Sequence, residues 1–143
     1  METTTSGLEV KVRLVILGFE CSSDEISSTL GVAPTQVWRD GETVTPQATN
    51  VHHENGWMLR SPVDPQRASA EEAVNALLAQ FPSLKAFAAL PAAADIQLTC
   101  TIYGHDERPG LWLSKDVIAR LAQIGASLDV DVYDLIEYTN DKV

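Results

Sequence analysis

Asp129 and Asp131 stand two residues apart in the alternating segment Leu128-Asp129-Val130-Asp131-Val132-Tyr133. An extended chain sends both carboxylates to one face, about 6–7 Å apart, with Tyr133 next in line. Such a pair can bind a hard cation, or divide into a general acid and a general base where the surroundings separate the two pKa values. Alternation alone also puts polar residues on the wet side of a half-buried strand, and that solvated face is the preferred reading. Histidines offer a second chemistry, in His52-His53-Glu54 and in His105-Asp106-Glu107. Neither stretch has H-x-x-x-H or H-E-x-x-H spacing, and adjacent residues of an extended chain point to opposite sides. Cys21 and Cys100, without Cys-x-x-Cys spacing, read as reduced packing thiols. No catalytic residue, metal or cofactor is assigned.

Trp38, Trp57 and Trp112 each fall on a short extended segment among polar neighbours. Single tryptophans usually pack in cores, yet Arg39 follows Trp38, and Arg60 lies three residues after Trp57. An arginine beside a tryptophan on facing strands suits a carboxylate or a stacked ring. The expected binding residues are therefore Trp38, Arg39, Trp57, Arg60, Asp129, Asp131 and Tyr133. The glycines are scattered, so no phosphate-cradling loop forms, and no G-x-S-x-G elbow occurs.

The elements that must position these residues follow from periodicity. Glu9 to Phe19 alternates and then turns apolar on both sides, as a strand does when it passes into a core. Ser22-x-x-Glu25 has capping-box spacing and Gly31 is a helix stop, predicting a helix over Ser23 to Leu30. Thr35 to Arg39 reads as a strand after Pro34, and the polar stretch 42–56 as a long loop or loose hairpin. Trp57 to Ser61 is a short strand. Ser69-x-x-Glu72 opens a helix with Ala73, Val74, Leu77, Leu78 and Phe81 on one face, and Leu84 to Leu90 is a shorter helical piece. Asp95 to Tyr103 alternates cleanly, 104–110 is a loop, and Leu111-Trp112-Leu113 reads as a strand. Ser114 caps a helix that ends at Gly125, and Ser127 to Tyr133 is the last strand.

This order predicts an α+β two-layer sandwich: a mainly antiparallel sheet, helices on one face, and a ferredoxin-like core with an extra β-α-β extension. One domain spans residues 1–143, with an ordered core of about 8–138 and flexible ends at 1–7 and 139–143. The run Ser23-Asp24-Glu25-Ile26, Leu30-Gly31-Val32-Ala33-Pro34-Thr35, Trp38-Arg39-Asp40-Gly41-Glu42, Asn55-Gly56-Trp57 and Leu128 to Tyr133 resembles the bacterial domain-of-unknown-function family numbered 4279. The resemblance covers nearly the whole chain and implies a compact domain. It brings no established activity and no site residues.

The 143 residues carry 10 Lys+Arg against 20 Asp+Glu, a net charge of −10, so phosphate-backbone binding is disfavoured and a macromolecular partner is expected to be basic. Asp129, Asp131, Asp134, Glu137 and Asp141 against Lys142, together with Glu20, Asp24 and Glu25, hold seven of the ten excess charges. These form one acidic surface if the first and last strands lie close. No apolar run is long enough to span a membrane and no leader pattern opens the chain, so a cytoplasmic location is expected. The leading expectation is a non-catalytic protein-interaction domain, immunity-like in one form, that engages a basic partner through its acidic face and the Trp38/Trp57 region. The alternatives are an enzyme joining Asp129 and Asp131 to His53 or His105, with or without a divalent metal, and a small-molecule-sensing domain.

Overall fold

The computed structural model describes residues 7–105 and 108–134. In chain order the elements are β1 (Gly7–Leu17), α1 (Ser23–Leu30), β2 (Gln36–Trp38), β3 (Gly56–Arg60), α2 (Ala70–Leu78), a 3-10 helix (Leu84–Ala89), β4 (Asp95–His105), α3 (Lys115–Gln123) and β5 (Ser127–Asp134). The fold is mixed α+β, with one five-stranded open sheet in the order β2-β3-β1-β4-β5. β1 is central, antiparallel to β3 on one side and to β4 on the other. β2 is antiparallel to β3, whereas β5 is parallel to β4.

Each helix begins on a serine whose hydroxyl satisfies a backbone N–H that the first turn leaves unpaired. Ser22 Oγ accepts from Glu25 N–H at 3.2 Å, and Ser114 Oγ accepts from Val117 N–H at 3.2 Å. Only α2 of the three closes the reciprocal box: Ser69 Oγ accepts from Glu72 N–H at 3.1 Å, while Ser69 N–H donates to Glu72 Oε1 at 2.9 Å. Gly31, at φ 75°, ends α1 in the left-handed conformation that glycine adopts without a Cβ clash. Glu71 Oε1 accepts from Ser114 N–H at 2.8 Å, and the Arg120 guanidinium donates to Asn75 Oδ1, so α2 and α3 are joined by polar contacts at two levels.

Alternation along β1 buries Val10, Val12, Leu14 and Ile16, and the same period buries Ile96, Leu98, Cys100 and Ile102 of β4. These rows share one core cluster with Trp57 and Leu59 of β3, Ile26 and Leu30 of α1, Val74 and Leu77 of α2, and Val117 and Leu121 of α3. At about 1.5–3 kcal/mol for each large apolar side chain fully removed from water, these rows are the main force holding helices to sheet. Asn55 ties the strand ends together. Its carbonyl accepts from Gly18 N–H at 3.1 Å, its side-chain amide donates to Phe19 O at 2.8 Å, and its Oδ1 accepts from Asp40 N–H at 3.0 Å.

Two expectations change, and two take a definite form. Leu111 to Leu113 forms no strand: with β1 and β5 already on its two edges, β4 has no side left for the triplet, and Trp112 is 70% exposed. The shorter helical piece after Pro82 is a 3-10 helix. The stretch 42–56 takes the hairpin alternative, its tip closed by the Thr43–Val51 bridge, with His52 N–H donating to Glu42 O at 2.8 Å. Gly7, expected in the free terminus, is the first residue of β1. The remaining expectations for the two ends, at 1–6 and 139–143, lie outside the described residues, as do Asp106, Glu107, Glu137 and Asp141.

Candidate functional site

The residues between the buried positions of each strand point to the opposite face of the sheet. Register then sets them in rows across four strands. Arg60 of β3 lies beside Arg13 of β1, which lies beside Thr99 of β4 and then Asp129 of β5. One step along, Lys11, Thr101 and Asp131 follow one another, and the next row is Glu9, Tyr103 and Tyr133. In the first two rows cations thus occupy β3 and β1, carboxylates occupy β5, and threonines separate them. With strands about 4.8 Å apart, Arg13 and Asp129 are roughly 10 Å apart at the backbone.

A groove of about 620 Å³ lies over these rows, lined by Lys11, Arg13, Arg60, Tyr103, Asp131 and Tyr133 among others. Its wall is the segment after β3, held against β1 where Ser61 N–H donates to Val12 O at 2.9 Å and Val10 N–H donates to Pro65 O at 2.8 Å. At one end the rings of Tyr103 and Tyr133 stack with centroids 5.2 Å apart, and Lys11 Nζ sits 5.5 Å from the Tyr103 centroid. Glu9 lies between Lys11 Nζ at 3.7 Å and His105 Nε2 at 3.5 Å. The His105 contact lacks hydrogen-bond alignment, since Nε2 is buried and makes no hydrogen bond. Among the described residues, no carboxylate comes within 4.0 Å of either Arg13 or Arg60. Two like charges face each other directly across a strand pair, an arrangement that is unfavourable by itself.

Three of the residues expected from sequence, Arg60, Asp131 and Tyr133, line this groove, and Asp129 sits exposed in the adjoining row. The others are elsewhere. Trp57 is fully buried, and its Nε1–H donates to Ser27 Oγ at 3.0 Å, so its indole presents no surface to a partner. Trp38 pairs with Gly56 and stacks on His52 with centroids 4.9 Å apart, four residues along β3 from Arg60, or about 13 Å. Arg39 is exposed in the turn beyond it, where its N–H donates to Glu42 Oε1 at 2.6 Å. Trp38 and Trp57 are thus close in β2 and β3 but lie on opposite faces. Among the described residues, no group of three or more His, Cys, Asp or Glu side chains is arranged to hold a metal ion, and His53 is exposed at the hairpin base. Burial pushes the Cys100 thiol up to about 11, as befits a packed side chain.

Lys11, Arg13, Thr101 and Tyr103 were not among the expected site residues. Their signal in the sequence is the outer set of the alternating strands Glu9 to Phe19 and Asp95 to Tyr103, which reads equally as a solvated face. Only the non-local register brings them to Arg60 and Asp131.

Among the described residues, no helix is long and apolar enough to cross a membrane. No curated protein and no solved structure matches the chain. The family model described as Domain of unknown function (DUF4279) matches residues 8–135, nearly the whole sequence, and the chain belongs to that family.

Proposed function

We propose that this chain is a non-catalytic protein-interaction domain that accepts an extended, basic segment of a protein partner along the edge of β5. The observation that carries this reading is the exposure of β5. It is the last strand of the sheet, and seven of its eight residues are exposed. One face offers Leu128 and Val132, 46% and 53% exposed, and the other offers Asp129 and Asp131. An uncovered edge is a template for strand addition. The acid row opposes pairing with a second copy of itself and favours a strand that alternates lysine or arginine with apolar residues. A strongly basic toxin is one partner of this chemistry. Two free thiols fit a reducing, cytoplasmic setting.

The frame supports the same reading. β1-α1-β2-β3-α2-β4, with neighbours in the order β2-β3-β1-β4 and all antiparallel, supports a ferredoxin-like core, and the shared core cluster supports helices on one face. α3 and β5 are the extension, and they create the edge.

The test uses an octapeptide alternating lysine and valine, titrated into the full chain and followed by backbone NMR. Binding is expected to shift the β5 amides. Each exposed ion pair is worth about 0.2–1 kcal/mol, so the double variant Asp129→Asn, Asp131→Asn should bind roughly 2- to 30-fold more weakly, and less so at high salt. Equal binding by wild type and variant at both low and high salt, or shifts confined to another element, would refute the edge.

A further inference from the structure

We propose that the groove on the open face is a binding site for a small organic oxyanion, a carboxylate or a phosphate monoester, held between the guanidinium groups of Arg13 and Arg60. Arg13 and Arg60 are direct cross-strand partners on one face, and the groove lies over both. In a chain with ten cationic residues and twice as many anionic ones, three of the cations, Lys11, Arg13 and Arg60, line this one concavity. No carboxylate of the described residues pairs with either arginine, although acids are abundant elsewhere. An oxyanion bridging the two forks turns a repulsive pair into two charge-assisted contacts, which is the geometry guanidinium groups suit.

The rest of the lining narrows the ligand. Lys11 is already shared with Glu9 and the Tyr103 ring, so it adds positive field rather than an uncommitted hand. The stacked Tyr103 and Tyr133 rings form a flat apolar end against which a ring or short hydrocarbon body can lie. Asp131 lines the same groove, and Asp129 stands beside it. A long polyanion crossing the face would run onto these carboxylates, which argues against a nucleic-acid strand and for a molecule with one anionic group. The volume, about 620 Å³, is that of ordinary small-molecule sites.

The experiment is an NMR titration of the full chain with sodium phosphate and, separately, sodium benzoate, each at constant ionic strength against sodium chloride. Saturable shifts are expected in the Arg13 and Arg60 side-chain Nε–H signals and in the amides around Lys11 and Thr101. The stronger of the two arms tells phosphate from carboxylate. A hydrogen bond to a charged group is worth about 1.5–3 kcal/mol, so Arg13→Gln and Arg60→Gln should each weaken binding roughly 10- to 150-fold. Each variant removes one of two facing cations, so the ligand-free protein should melt no lower than wild type. Chloride shifts that match those of both probes, or undiminished binding by the two glutamine variants, would overturn the site. Asp129→Asn separates this site from the β5 edge: it should weaken the lysine–valine peptide and leave the anion bound, so either assignment can fail alone.

Discussion

At Gly56 the indole of Trp38 occupies the space where a side chain would stand, and a Cβ placed there would lie inside the ring. The glycine is thus set by a close approach, since its own φ is not among the positive ones. Gly56→Ala must displace an indole that also stacks on His52. Overpacking of this kind costs about 1–3 kcal/mol, to be read from urea unfolding. Trp38→Ala in the same chain should recover part of that loss, giving a favourable coupling in the double-mutant cycle. Additive losses would mean that the ring is not what fills the site. The sequence offers Asn55-Gly56-Trp57 as a turn-like signal, and no local rule distinguishes a turn glycine from one lying under a ring. Trp57 shows the same limit. Whether a tryptophan on a short strand faces core or water depends on the parity of Gly56–Arg60, and that parity is fixed by pairing with Val15 and Ile16 of a distant strand.

The junction of α2 and α3 shows what an element can read from its own sequence and what it cannot. Ser22, Ser69 and Ser114 announce their helices because capping is local. That Glu71, in the first turn of α2, also accepts from the N–H of Ser114 is not local at all. The backbone and then the side-chain hydrogen bond of Ser114, helped by Arg120, hold the Glu71 carboxyl below its ordinary value against a smaller desolvation effect. A carboxyl lowered in the folded state stabilises it above the unfolded pKa, and this contribution fades as pH falls through the folded one. Glu71→Gln should therefore unfold at lower urea than wild type at neutral pH, and the gap should close as the solution is acidified below the carboxylate range. A gap that persists in acid would assign the loss to shape rather than charge. Strand patterns were legible wherever one face is buried, as in β4, whereas the apolar triplet 111–113 carries a strand pattern although β4, the strand before it, is already paired on both edges. The parallel placement of β5 on β4 follows from the connection through α3, which periodicity does not report.

Over the whole molecule the antiparallel frame was legible from the order of elements, and the site from parts of its rows: Asp129, Asp131 and Tyr133 by alternation, Arg60 by type. Lys11 and Arg13 needed the register of β1 with β3 and β4, which links residues some 50 to 90 positions apart. The same central position makes Cys100 a reporter of global opening. It is fully buried on β4, whose flanks are covered by β1 and β5, and its thiol is held neutral to about 11. At mildly alkaline pH an alkylating reagent should modify the partly exposed Cys21 promptly. Cys100 should react only at the rate set by unfolding and accelerate with denaturant, as resolved by peptide mass mapping. Equal rates for the two would mean that β4 opens locally. The open face, finally, is positive on β3 and β1 and negative on β5, so it carries a dipole in the plane of the sheet, perpendicular to the strands. The net charge of −10 draws a cationic visitor and opposes an anionic one from any side, but either is turned by this dipole before contact. Because ions screen fields over about 8 Å at physiological salt, that torque acts only in the final approach, where it sets which end of the visitor arrives first.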